Sequence, residues 1–128
     1  MLRLTPASHV WIADMHEMAA TENILSIALK AGEENKVGRI NKINIELGMY
    51  SGLLPEFVIK YFAIASEGTK AEGAELVFMD EPVHIKCNSC GADSEIFKES
   101  EPVCPICGSS DFRMIQGWDV RVKSIEAD

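Results

Sequence analysis

The chain has 128 residues, 12 Lys plus Arg against 20 Asp plus Glu, a formal net charge of −8 and 47% hydrophobic residues. That length suits one domain, or one domain with a small module, and the hydrophobic share is enough for a modest core. The acidic balance disfavours nucleic acid as a partner because phosphates would be repelled, and no window is long and apolar enough to span a bilayer.

Residues 1–14 show no clear period and are expected to form an N-terminal extension outside the fold. They also make a poor signal peptide, so a cytoplasmic location is expected. From Met15 the pattern turns helical. Met18, Thr21, Leu25, Ala28, Leu29 and Gly32 recur at three- and four-residue steps and predict one apolar stripe. Gly32 and the run Glu33-Glu34-Asn35 end it. Lys42 to Leu47 alternates polar and apolar residues, the pattern of a half-buried strand, and Gly48 to Gly52 reads as a loop.

Pro55 suits the first turn of a second helix, where its missing donor is not needed. The predicted apolar face of that helix is Leu54, Phe57, Val58, Tyr61, Phe62 and Ala65, and Gly68 is its stop. Ala74 to Met79 predicts a buried strand, and Val83 and Ile85 continue extended. After the cysteine-bearing stretch, Trp118, Val120 and Val122 alternate with Asp119, Arg121 and Lys123 in a last strand.

The order helix, strand, helix, strand, cysteine module, strand predicts an α+β or α/β fold. Two helices pack on a small three-stranded mixed sheet, and a zinc-ribbon-like four-cysteine module is inserted. The strand-helix-strand unit favours a parallel pair with a right-handed crossover. Residues 15–85 plus 113–128 are expected to form the α/β domain and residues 86–112 the zinc-binding domain. Small shifts at the two crossings, near Glu81–Lys86 and Arg113–Gly117, would act as a hinge between them.

The cysteines fall in two knuckles, Cys87-Asn88-Ser89-Cys90-Gly91 and Cys104-Pro105-Ile106-Cys107-Gly108, with 13 residues between the pairs. Two-residue spacing lets both sulfurs of a knuckle reach one ion, and the following glycine permits the tight turn. Four thiolates suit tetrahedral Zn(II) at about 2.3 Å. In a reducing compartment a metal explains four cysteines better than disulfides do. A rubredoxin-like iron electron carrier uses similar knuckles, and a zinc-ribbon nucleic-acid or protein interaction module is the other alternative. With four protein ligands the site is closed to substrate chemistry. His84, three residues before the first knuckle, reads as the polar face of a strand. No nucleophile–base pair, phosphate loop or dinucleotide fingerprint is present, so no enzyme is expected.

Met15-His16-Glu17-Met18, Gly48 with Ser51-Gly52 and Pro55-Glu56, Glu67-Gly68-Thr69, Glu72-Gly73-Ala74-Glu75-Leu76 and the two knuckles follow one another in this order. Together they resemble the HypA/HybF family of nickel metallochaperones for hydrogenase maturation. The likeness runs from Met15 to about Glu126. It implies a nickel-binding α/β domain beside a zinc domain, the zinc on Cys87, Cys90, Cys104 and Cys107. It implies Ni(II) held transiently at Met15, His16 and Glu17, by the imidazole and neighbouring backbone nitrogens. Such a set suits Ni(II), which readily takes square-planar nitrogen ligands. It further implies delivery to the large subunit of a [NiFe] hydrogenase with a HypB-type GTPase as partner, a link to urease maturation proteins, and a monomer or weak homodimer. The family usually opens at this methionine, whereas 14 residues precede it here. A start at Met15 would add a terminal amine to the nickel ligands.

Overall fold

The computed structural model describes residues 2–5, 17–97 and 100–128. In chain order the elements are β1 (Leu2–Leu4), α1 (Glu17–Glu34), β2 (Ile40–Gly48), α2 (Pro55–Ala65), β3 (Glu75–Glu81), β4 (Val83–Cys87), β5 (Asp93–Ile96), β6 (Phe112–Gln116) and β7 (Val120–Ala127). They build two sheets: a mixed one in the order β1-β7-β2-β3 and an antiparallel one in the order β5-β4-β6.

The first sheet follows from the alternation read in β2. Ile43 and Ile45 are fully buried and Leu47 packs beside them, under the helices. β3 joins β2 in parallel after the α2 crossover, and β7 joins the other side of β2 antiparallel. These three strands are the expected mixed sheet with its two helices. The opposite face is polar. Asn44 donates to Ser124 Oγ at 2.9 Å, and Arg121 meets Glu46 at 2.6 Å.

Three expectations change. Leu2–Leu4, placed by the sequence in an extension outside the fold, pairs antiparallel with β7 and adds a fourth strand. On α1 the inward side is Ala20, Thr21, Ile24, Ala28, Ala31 and Gly32, while Met18 is exposed and Leu25 and Leu29 lie at the margin. Small residues face inward because α1 must approach both β7 and α2 closely. On α2 only Val58 and Phe62 are buried, and Leu54 and Phe57 face outward. A short helix covering the margin of a small sheet has room for a narrow inward stripe only.

The inserted module is larger than residues 86–112. β4 extends up to Val83 and β6 extends down to Gln116, and the two pair with each other. The stretches Glu81–Lys86 and Arg113–Gly117 are therefore mostly paired strand, not hinge. Unpaired chain between the two sheets is confined to Pro82 and to Gly117–Asp119. These crossings lie against the end of β2. Gly48 N donates to Asp119 O at 2.7 Å and Tyr50 N to Gly117 O at 2.8 Å. A Cβ on Gly48 would sit 2.5 Å from Gly117 O, so only glycine permits this approach. Trp118, predicted to open the last strand, lies instead in the return crossing ahead of Val120 and is 36% exposed.

Candidate metal centre

β4 delivers Cys87 at its end, and the chain reverses at once. Gly91 N donates to Cys87 O at 3.0 Å with Gly91 at φ 74°, a turn that favours glycine. The second knuckle repeats the device: Gly108 N donates to Cys104 O at 2.8 Å with Gly108 at φ 78°. Backbone bonds anchor each knuckle, Cys87 N to Ala92 O at 3.0 Å and Cys104 N to Ser109 O at 2.8 Å.

Polar side chains tie the two knuckles together. Asn88 Nδ2 donates to Asp111 Oδ1 at 3.0 Å, its backbone N donates to Asp111 O at 2.9 Å, and the Ser89 and Ser109 hydroxyls lie 2.9 Å apart. No sequence motif marked these clamps, since serines and asparagines beside a knuckle are common turn residues.

The four sulfurs lie within 4.8 Å of one another, and they form the only such group of three or more His, Cys, Asp or Glu side chains among the described residues. Cys87 and Cys107 sulfurs are 3.6 Å apart, and those of Cys90 and Cys104 are 3.8 Å apart. Each of these pairs joins one knuckle to the other. A tetrahedron of sulfurs at about 2.3 Å from a central ion has edges of about 3.8 Å. The spacing therefore fits a tetrahedral thiophilic ion such as Zn(II), and all four cysteines are free of disulfides.

In each knuckle the backbone favours thiolate at the first cysteine, while the thiols of Cys90 and Cys107 are raised on balance. Cys90 N points at Cys87 Sγ from 3.4 Å. This amide, opposed by burial and helped by the Ser89 amide, pulls the Cys87 thiol down to about 6. The Cys107 amide does the same for Cys104, whose thiol is also lowered. Cys87 and Cys104 are buried while Cys90 and Cys107 are exposed, so the ion would sit at the rim of the module with all four positions taken by protein.

Of the nickel residues expected from the sequence, Glu17 opens α1, and its carbonyl accepts a hydrogen bond from Thr21 Oγ1 at 2.5 Å. Met15 and His16 lie outside the described residues. His84 stands on β4 opposite Glu95, with Nε2 3.0 Å from Glu95 Oε1, which agrees with a strand's polar face. Among the described residues, no helix is long and apolar enough to cross a membrane.

Residues 15–127 match the family model described as hydrogenase/urease nickel incorporation, metallochaperone, HypA. The hydrogenase maturation factor HypA of Aquifex aeolicus is 35% identical over 114 residues, covering 89% of this chain and 98% of that one. HypA 1 of Bradyrhizobium diazoefficiens is 36% identical over 114 residues, covering 89% of this chain and all of that one. The solution structure of the Ni metallochaperone HypA from Helicobacter pylori shares the fold, with a TM-score of 0.64 and 21% identity over 88% of this chain and 97% of that one.

Proposed function

Because the chain belongs to the HypA family of hydrogenase/urease nickel incorporation metallochaperones, we propose that it binds Ni(II) and delivers it for [NiFe] hydrogenase maturation while holding one structural Zn(II). The observation that carries this reading is the reach of the family match, which opens at Met15 and includes both knuckles. In the proposed scheme the two metals have opposite requirements. Zn(II) sits on Cys87, Cys90, Cys104 and Cys107, where four protein ligands leave no route of exchange. Ni(II) is cargo, taken at Met15, His16 and Glu17 by the imidazole and adjacent backbone nitrogens, an open set from which it is released.

The protein acts in this reading as a carrier and not as a catalyst. Its partners are a HypB-type GTPase, the hydrogenase large subunit and urease maturation proteins, met in the cytoplasm by a monomer or weak homodimer.

Metal analysis and nickel titration of the untagged chain, together with its intact mass, test the proposal. The expected result is one retained zinc and one exchangeable nickel per chain, with His16→Ala abolishing nickel uptake and sparing zinc. Unchanged nickel affinity in that variant would remove His16 from the site. A wild-type chain that takes up no Ni(II) would overturn the function, and a red, redox-active preparation would reassign the sulfur cluster to iron.

A further inference from the structure

Glu81 ends β3 one residue before the Pro82 crossing, and it is 3% exposed. Both of its carboxylate oxygens are buried and, among the described residues, without a hydrogen-bond partner. A buried carboxylate with no donor is unfavourable, and a structure retains one at a defined place only where the surrounding packing holds it there. The place is specific: β3 pairs Glu81 with Gly48, the residue against which the return crossing Gly117–Asp119 is fitted. Both chain passages between the two sheets therefore meet within one residue of this side chain.

The charged neighbours make ionisation worse. From β2, Glu46 shares the sheet face of Glu81, two residues along from Gly48. From the return crossing, Asp119 adds a second acid, and from β7 Arg121 is the one opposing charge among the described residues. Arg121 is engaged by Glu46 at 2.6 Å, and Lys123 also turns to Glu46, at 3.6 Å. Asp80, the preceding residue, is a further acid. On the module side the cavity next to Glu81 is walled by Met49, Val83, Ile96 and Phe97, none of which carries charge.

We propose that Glu81 is a proton-operated latch on the crossing: with its carboxyl neutral the two sheets close on one another, and ionisation opens the crossing and frees the four-cysteine module to swing about Pro82 and Gly117. Burial, then the charges of Asp119 and Glu46 against that of Arg121, push the Glu81 carboxyl up from 4.5 to about 7. Burial raises the Asp119 carboxyl as well. The direction of the linkage follows. Closure binds a proton that the open form releases, so the closed crossing is fully favoured below about pH 4.5. That advantage shrinks by about tenfold per pH unit between about pH 4.5 and about pH 7, and nothing further is lost above it. The crossing is thus tightest in acid and at its loosest from about pH 7 upward, where the module is most free to move. This inference concerns the two sheets and does not depend on which ion is delivered.

The test uses the zinc-loaded full chain and the backbone amides of Gly48 and Tyr50, which bond across the crossing. Their protection against hydrogen exchange, corrected for the intrinsic rate, should fall about tenfold between about pH 6 and about pH 8 in the wild type. In Glu81→Gln, which keeps the shape and stays neutral, protection should remain high and flat. A wild-type profile without the fall, or the same fall in Glu81→Gln, overturns the latch. If Glu81→Gln does not fold, carbon NMR titration of the wild-type Glu81 carboxyl decides. A midpoint near neutrality, shared by the Gly48 and Gly117 amide shifts, supports it. A midpoint in the ordinary carboxylate range overturns it.

Discussion

The two sheets are held together by different means. Under the mixed sheet lies a continuous aliphatic core that includes Ile24, Ile40, Ile43, Ile45, Val58, Val122 and Ile125, closed by both helices. The antiparallel sheet buries only Val83, Ile85 and Ile96 beside two of its own cysteines, with Met49 reaching over from the end of β2. The first region has enough buried apolar surface to order its backbone, whereas the second buries little, and the proposed zinc on its four cysteines would close it. With the proposed zinc bound, a domain stabilised by exclusion of water carries a module stabilised by sulfur coordination, and each should fail on its own terms.

The strongest way to break that contrast is to remove the ion. Chelation, or Cys104→Ser, should unfold the module and forfeit on the order of 10 kcal/mol of metal-linked folding free energy. The amide signals of α1, α2, β2 and β7 should persist in a heteronuclear spectrum. Loss of those signals together with the module would show that the two regions fold as one.

A smaller effect is expected from the converse change. Ile45 is fully buried at the centre of the mixed sheet, and Ile45→Ala should cost about 2–5 kcal/mol in denaturant unfolding. The zinc content of the folded fraction should be unchanged, and zinc loss in step with stability would contradict the separation. The smallest effect sharpens the account of the module. Ser89→Ala removes one hydroxyl contact between the knuckles, and a contribution of about 0.5–1.5 kcal/mol should appear as modestly faster zinc loss to a competing chelator. No change in that rate would make the serine pair incidental.

How much of this was readable beforehand depended on how local the cause was. The cysteine cluster was legible because two-residue spacing and the following glycine encode each knuckle within five positions. The strand β2 was legible because Ile43, Ile45 and Leu47 alternate over one half-covered face. The phase of α1 was legible only in part: Thr21, Ala28 and Gly32 of the predicted stripe are buried, but Met18, Leu25 and Leu29 drew it away from Ala20, Ile24 and Ala31. What selected the alanines was the close approach of neighbouring elements, which no local pattern reports. β1 was hidden because three residues carry no period, and it exists only where the far end of β7 offers an edge. β6 was hidden because its alternation, with Phe112 and Met114 facing the module's small core, is short and its partner β4 lies beyond both knuckles. The unpaired carboxyl of Glu81 was invisible for the same reason: it is buried jointly by segments from β2, β4 and the approach to β7.

The pairing of β1 with β7 sets Leu2 opposite Ala127, so the first and last paired residues lie at one corner. The return crossing enters β7 at Val120, at the other end of an eight-residue strand. At about 3.3 Å per residue, the corner is roughly 23 Å from that crossing. A label or fusion partner attached at either terminus would report from the same vantage point, clear of the seam between the sheets.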